Sequence, residues 1–378
     1  MRGIDSHPTG LAAQRLWLAR VVAWALLLGA WMALGALGRQ HLGSFAGGQG
    51  PVALWLLSIG GLLTLAGRRR WSAASLRRVL LLAGASSAAV LLAPHPAAAE
   101  VWVASATWAV LVVAASFTVR ALRGAQSHAP PSPIGPAIAG AALAWAWVGD
   151  LDALRGNTAP LAIDLLSAAL LLAALLPSRC GVKGACRAGL FDCSLPLLAP
   201  AHWRHPAEWP LAAAALGMLP MMASLPVMAD WCGALRWPAA LGTALHLGAM
   251  LVPAACLRVT VPPRRPAVAV GLVLALGGAA LPAAGLSGLM AASLLHGVAW
   301  SLAWSAMLRR SAGAIPKGRA QAPAVAAALT AAAVLALGLA IDRYGPGALV
   351  GVHALLAVFG ALGCLRAWQT FPVALSRV

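Results

Sequence analysis

The chain contains few charged residues and very few acidic ones. Only 10% of its 378 residues are charged, nine are Asp or Glu, and the mean hydropathy is +0.84. Soluble globular domains have about a quarter charged residues, so this scarcity predicts a protein that crosses the lipid bilayer several times. The formal charge of +18 does not indicate a nucleic-acid partner, because the arginines stand between apolar runs, where cytoplasmic loops of membrane proteins collect them.

Sequence motifs of common enzymes are missing as well. The chain has no GxSxG, no HExxH and no glycine-rich phosphate-binding loop ending in GKS or GKT. The first two absences argue against a serine hydrolase and a zinc protease, and the third argues against transport driven by ATP hydrolysis. We therefore expect an ion-coupled or facilitated carrier rather than an enzyme, with no permanently bound cofactor.

Twelve apolar runs have lengths that suit membrane-spanning helices. They cover about residues 16–37, 51–67, 77–97, 101–119, 134–149, 159–177, 209–230, 236–257, 267–287, 289–308, 323–341 and 346–365. With the N-terminus in the cytoplasm and the sides alternating, 23 of the 27 basic residues fall on the cytoplasmic side, as the positive-inside rule requires. The sequence thus predicts an all-α membrane protein of twelve transmembrane helices, with both termini in the cytoplasm, in the inner membrane.

The longest loop divides the runs into two sets of six. This division predicts an N-terminal half at 1–177, a cytoplasmic linker at 178–208 and a C-terminal half at 209–378. The arrangement resembles the major facilitator superfamily, whose two six-helix halves surround a central cavity. A short loop between the second and third runs adds to the resemblance, although the Asp typical of that family's loop is missing; its residues are Gly67, Arg68, Arg69, Arg70, Arg77 and Arg78.

Methionine and histidine recur at helical spacing in the seventh and eighth runs. Met218 and Met222 are four residues apart, and so are His246 and Met250, so each pair lies on one helix face. At 1.5 Å of rise per residue, all four lie near mid-membrane at matching depth. Thioether and imidazole suit copper, and thioether favours Cu(I). The alternative is that the methionines only fill space between helices.

This pattern is similar to that of the CcoA-type copper importers of the same superfamily. Those proteins carry an MxxxM and an HxxxM motif on the corresponding two helices, and a cysteine nearby that Cys232 matches in position. The resemblance implies copper import through a site formed by Met218, Met222, His246 and Met250.

Three further groups of residues are accessory candidates. Asp164 lies inside the sixth run, where a carboxylate is costly and is expected to bind a proton or cation, unless it is a hydrogen-bonded structural residue. His296 and His353 each stand alone in an apolar run, and we expect each to bond to a neighbouring helix. Thiols in the linker have the softness that Cu(I) prefers and would exchange copper with a cytoplasmic copper chaperone; they are Cys180, Cys186 and Cys193.

Two other functions remain open on the sequence. An exporter of a small organic solute or drug would use the same apolar bundle, with the methionines as packing. A membrane assembly factor without transport activity would use the cysteine-containing linker for docking.

Overall fold

The computed structural model describes most of the predicted helices. The described residues are 9–66, 70–93, 98–124, 134–149, 156–177, 181–183, 209–211, 213–214, 218, 244–253, 266–280, 286–312, 323–345 and 347–369.

Helices dominate these parts of the chain. They are α1 (Thr9–Leu42), α2 (Phe45–Ala66), α3 (Ala73–Leu91), α4 (Ala98–Gly124), α5 (Ile134–Val148), α6 (Ala159–Leu175), α7 (Ala244–Pro253), α8 (Pro266–Ala280), α9 (Leu286–Ala312), α10 (Pro323–Tyr344) and α11 (Gly347–Gln369). The described residues between 209 and 218 are also helical, and below they are called the 209–218 segment.

Each predicted apolar run contains helical residues, which confirms the largely helical prediction. By length and composition, six helices in the described chain can cross a membrane, namely α1, α2, α3, α4, α10 and α11, while α5 to α8 are apolar but shorter. The number of twelve crossings and their orientation remain predictions.

Two short strands correct the all-α prediction. Strand β1 (Arg70–Ser72) pairs in antiparallel fashion with β2 (Gly181–Lys183), with Trp71 opposite Val182. The strands join the loop after α2 to the predicted linker. Three residues are too few for an alternating pattern to be recognised, so the sequence carries no signal for this pairing.

The chain divides into two compact units. The first comprises residues 1–37 and 54–194, and the second comprises residues 38–53 and 195–378. The second unit therefore includes the end of α1 and the start of α2. The division into halves at 1–177 and 209–378, which follows sequence order, stays a prediction.

In the first unit, α3 packs against α6 through a glycine and an arginine. Gly84 lies against Ala169, where any larger residue would hold the helices apart. Arg77 donates from Nε to the Ala173 carbonyl oxygen at 3.1 Å and from Nη2 to the Leu176 carbonyl oxygen. The last carbonyl groups of a helix have no hydrogen-bond partners within it. The Arg77 guanidinium provides these partners, and its positive charge interacts favourably with the negative end of the α6 dipole.

One arginine, Arg20, lies inside the helical core. Arg20 is only 1% exposed on α1. Arg20 falls within the apolar run predicted at 16–37, and in the structure it belongs to the protein interior rather than to a solvated loop. A buried charge in a membrane-spanning helix is costly and faces the protein interior.

In the second unit, α8 packs closely against α9 and α11. A Cβ atom added to Gly360 of α11 would lie 2.7 Å from Leu274 Cβ and 3.2 Å from the Gly271 carbonyl oxygen of α8. Small residues at such contacts let membrane helices approach. The apolar core that results includes the 209–218 segment; its buried members are Leu211, Ala213, Ala214, Val270, Leu274, Ala299, Ala303 and Leu356.

A carboxylate in the second unit caps the start of α2. Asp342, near the end of α10, accepts hydrogen bonds from the backbone nitrogens of Phe45 at 2.7 Å and Ala46 at 2.8 Å. Gly338 makes the approach possible, since a Cβ there would lie 3.0 Å from Ala46 Cα. The first amides of a helix have no partners within it, and a negative charge at this end is favourable.

Candidate functional site

Three of the four predicted copper ligands are described, and all three are buried. Met218 is 1% exposed in the 209–218 segment, while His246 and Met250 are 1% and 2% exposed on α7. These three side chains are therefore not exposed at the surface of the protein. Met222 and Cys232 lie outside the described residues.

The ring of His246 is held by α9. Its Nδ1 lies 2.9 Å from the Ser293 carbonyl oxygen and 3.1 Å from Ser293 Oγ. Because a carbonyl oxygen only accepts, the neutral ring must carry its proton on Nδ1. That leaves a lone pair on Nε2, which is buried and has no hydrogen-bond partner. A histidine that donates one N–H to a carbonyl and presents its other nitrogen is arranged as metal-binding histidines are.

Gly297 brings α7 and α9 together at this point. A Cβ atom on Gly297 would lie 3.0 Å from Ala249 Cβ, 3.2 Å from the His246 carbonyl oxygen and 3.4 Å from the Met250 nitrogen. Gly297 lies one turn after Ser293 on α9, so both face α7. The short distance between the helices is what allows His246 to reach Ser293.

His296 shows the same arrangement as His246 with its ring nitrogens exchanged. It is 2% exposed, and its Nε2 lies 3.2 Å from the Ala214 carbonyl oxygen of the 209–218 segment. The proton of the neutral ring is therefore on Nε2, and the lone pair is on Nδ1, which is buried without a hydrogen-bond partner.

His353 on α11 lies beside His296. It is 3% exposed, and its ring centroid is 6.0 Å from that of His296 at an interplanar angle of 74°. Its Nε2 is also buried without a partner. The expectation that His296 bonds to a neighbouring helix is confirmed. Each of these histidines stands alone in its own apolar run, but the two rings contact each other across helices. They lie 57 residues apart on different helices, so no local spacing could reveal the contact.

The histidines do not form a closed metal cage. Within the described parts of the chain, no group of three or more His, Cys, Asp or Glu side chains is arranged to hold a metal ion.

Asp164 belongs to the first unit. It is half-buried on α6. Its neighbours Leu165 and Ala168 are buried, while Ile163 is 62% exposed. The linker cysteines Cys180, Cys186 and Cys193 lie outside the described residues, as do Gly67, Arg68 and Arg69 of the arginine-rich loop.

An aromatic pair lies farther along α9. Trp300 and Trp304 are each 1% exposed and stack with centroids 5.2 Å apart at 23°. The buried Trp300 Nε1 has no hydrogen-bond partner. Stacked indoles offer flat apolar faces, and an unpaired indole N–H is a donor for a polar group.

Comparison with known proteins identifies the fold. No protein-family model and no curated protein matches the chain. Among solved structures, it is similar to the xylose transporter XylE from E. coli in a partially occluded inward-open conformation, at 16% identity, with 97% of this chain and 99% of that chain covered and a TM-score of 0.60.

Two further solved structures agree over a similar length. A D-xylose-proton symporter is 15% identical, with 94% and 98% of the two chains covered and a TM-score of 0.59. A mutant of the nucleoside transporter NupG is 13% identical, with coverages of 95% and 98% and a TM-score of 0.57. At such identities the likeness fixes the fold and leaves the substrate open. The chain therefore shares the overall fold of these xylose and nucleoside transporter structures.

Proposed function

We propose that this protein is a secondary transporter that imports copper across the inner membrane by alternating access. Transport is supported by the fold, because the solved structures that share it are a xylose transporter, a xylose-proton symporter and a nucleoside transporter. Copper is supported above all by His246, whose Nδ1 proton is held by the Ser293 carbonyl oxygen while Nε2 is buried without a partner.

The ligand set suits an ion that must be bound and then released. We assign Cu(I) to Met218, Met222, His246 and Met250, with Cys232 as an accessory ligand. Thioether and neutral imidazole add no negative charge, which would be expensive inside a membrane. A few neutral ligands also hold Cu(I) less tightly than a cage of thiolates, so the ion can leave when the site opens to the other side.

Two accessory parts complete the proposal. Asp164 would carry the proton or cation that drives uptake, because a carboxylate within a membrane-spanning helix is a default site for such coupling. Cys180, Cys186 and Cys193 would pass Cu(I) to a cytoplasmic chaperone, since thiolates are soft ligands.

A small organic solute is the second candidate substrate. It is favoured by the stacked, buried Trp300 and Trp304 and by the unpaired Trp300 Nε1. Such a pair would stack on a ring and donate one hydrogen bond to it. On this alternative, the methionines are packing residues.

Transport of radioactive copper into proteoliposomes tests the proposal. Purified full-length protein is reconstituted, and uptake of Cu(I) under reducing conditions is compared with that of protein-free vesicles and of the His246→Gln variant. We expect uptake by the parent protein and a loss of about tenfold or more in the variant. No uptake by the parent protein above the protein-free vesicles would rule out copper as substrate.

A further inference from the structure

The turn between α1 and α2 is held by the end of α10. Asp342, in the last turn of α10, accepts hydrogen bonds from the backbone nitrogens of Phe45 at 2.7 Å and Ala46 at 2.8 Å. Ser44 Oγ accepts from the amide of Gly47 at 2.9 Å. The first amides of a helix have no partners within it. Ser44 therefore provides the local part of the α2 cap, and Asp342 provides the acceptor for the first two amides.

Side-chain packing holds the same helices together. The Phe45 ring packs against a buried apolar cluster of α10 and α11, whose members are Leu337, Ile341 and Leu349. The Arg39 guanidinium lies 4.1 Å from the centroid of that ring. At Gly338 of α10, an added Cβ atom would lie 3.0 Å from Ala46 Cα and 2.9 Å from Gln49 Cγ. The close approach of α2 to α10 therefore depends on the absence of a side chain at residue 338.

The two turns in contact are predicted to lie on the same side of the membrane. With the N-terminus in the cytoplasm and the sides alternating, the turns after the first and the eleventh apolar runs both fall outside. Helices α1 and α2 belong to the N-terminal half predicted from the sequence, and α10 and α11 belong to the C-terminal half. The contact thus joins helix ends from both predicted halves, on the predicted outer side.

We propose that this contact, formed by Phe45 and Ala46 with Gly338 and Asp342 and called the outer latch below, closes the outer side of the carrier and opens in each transport cycle. In alternating access, one half of a carrier moves against the other, so that the substrate site faces one side at a time. A contact between the outer helix ends of the two halves can persist only while the outer side is closed. The proposal rests on the proposed transport by alternating access, and it is independent of the substrate.

The hydrogen bonds of the outer latch can be exchanged with water. The bonds from Phe45 and Ala46 to Asp342 lie at an exposed position, so water replaces each partner when the contact opens, and the net change is small. Loss of a capping side chain changes a helix equilibrium by about fivefold. We expect the Asp342 carboxylate to favour the closed outer side by a similar factor, which leaves the latch free to open repeatedly.

Hydrogen exchange measured by mass spectrometry on the full-length protein in lipid nanodiscs tests the proposal. In Asp342→Ala, amides of residues 43–49 should exchange about fivefold faster than in the parent, because the outer side opens more often. Amides of residues 70–76, on the predicted cytoplasmic side, should exchange more slowly, because an outward-open carrier is closed on its inner side. A cap with a merely local role would change the first segment alone. Arg343→Gln removes the charge of the next residue, which is also exposed, and should match the parent.

A second pair of variants reaches the latch through packing. Gly338→Ala places a Cβ atom against Ala46 and Gln49, so it should push α2 from α10 and give the same opposite changes in the two segments. Gly347→Ala, at the start of α11, is the matched control, because a Cβ atom there would have no atom within 4 Å. This control should match the parent in both segments.

The outcomes separate the latch from the proposed function. Faster exchange of residues 43–49 without slower exchange of residues 70–76 in both Asp342→Ala and Gly338→Ala would overturn the latch and make the contact a structural cap. Parental exchange in both segments would overturn it as well. Neither result bears on copper uptake into proteoliposomes. Conversely, the exchange measurement needs no substrate, so a parent protein that takes up no copper would remove the proposed substrate and leave the exchange result intact.

Discussion

Replacing Gly297 with alanine should damage the site although it replaces none of the proposed ligands. The added Cβ would lie 3.0 Å from Ala249 Cβ and 3.2 Å from the His246 carbonyl oxygen. Carbon atoms prefer about 3.5–4.0 Å, so α7 must move away from α9 by roughly half an ångström. This movement would stretch the 2.9 Å contact between His246 Nδ1 and the Ser293 carbonyl oxygen towards the limit of a hydrogen bond.

The Gly297→Ala substitution should have two effects, on stability and on copper affinity, which are measured separately. Overpacking at a tight contact costs about 1–3 kcal/mol, which lowers the Tm of the purified protein by several degrees. A weakened hold on the His246 ring should lower copper affinity by about tenfold, as loss of an outer partner does for metal-bound histidines. The assays are thermal denaturation in detergent and Cu(I) competition.

Gly248 on α7 provides a matched control. A Cβ atom at Gly248 would have no atom within 4 Å, so Gly248→Ala meets open space and should keep or slightly raise the Tm, because alanine suits a helix better than glycine. If Gly297→Ala matches the parent in both Tm and copper affinity, the contact between α7 and α9 does not position His246, and the reasoning fails.

Three further predictions concern other parts of the chain. Asp342→Ala removes the cap on α2 and should lower stability by about 1 kcal/mol, seen as a lower Tm, while an unchanged Tm would show that the cap does not contribute. Asp164→Asn keeps the shape and loses the titratable charge, so vesicles should lose pH-dependent uptake although the protein still inserts, and normal pH-dependent uptake would make Asp164 structural. Gly360→Ala should lower the free energy of unfolding by about 1–3 kcal/mol because of the 2.7 Å contact with Leu274 Cβ. Gly351→Ala, in open space on the same helix, should leave it unchanged, and equal Tm values for the two variants would contradict the packing account.

Apolar run length was enough to locate the helices but not their ends. The first run was predicted at 16–37, whereas α1 extends from Thr9 to Leu42 and ends among polar residues such as Arg39 and His41. The hydrophobic signal stops where the side chains become polar, while backbone hydrogen bonding continues. For α1 the predicted boundaries therefore fall inside the real ones, whereas the run predicted at 159–177 extends past the end of α6 at Leu175.

Contacts between distant residues were beyond the sequence. Asp342 and Phe45 are 297 residues apart, and His296 and His353 lie on separate helices, so no periodicity relates either pair. Each intramembrane histidine is visible as an isolated polar residue, but its neighbours depend on how the helices pack. The pairs at i and i+4, Met218 with Met222 and His246 with Met250, were visible because one helix alone sets that spacing.

The central claim is that methionine sulfur binds the transported copper. Met218→Leu and Met222→Leu keep the apolar volume and remove the sulfur, and Met32→Leu, at a 3% exposed position on α1, is the matched control. Leucine replaces methionine in a core at a cost below about 1.5 kcal/mol, so expression should be similar for all three. The account predicts that copper uptake into proteoliposomes falls sharply for the first two variants and not for the control. Parental uptake by both Met218→Leu and Met222→Leu would contradict it.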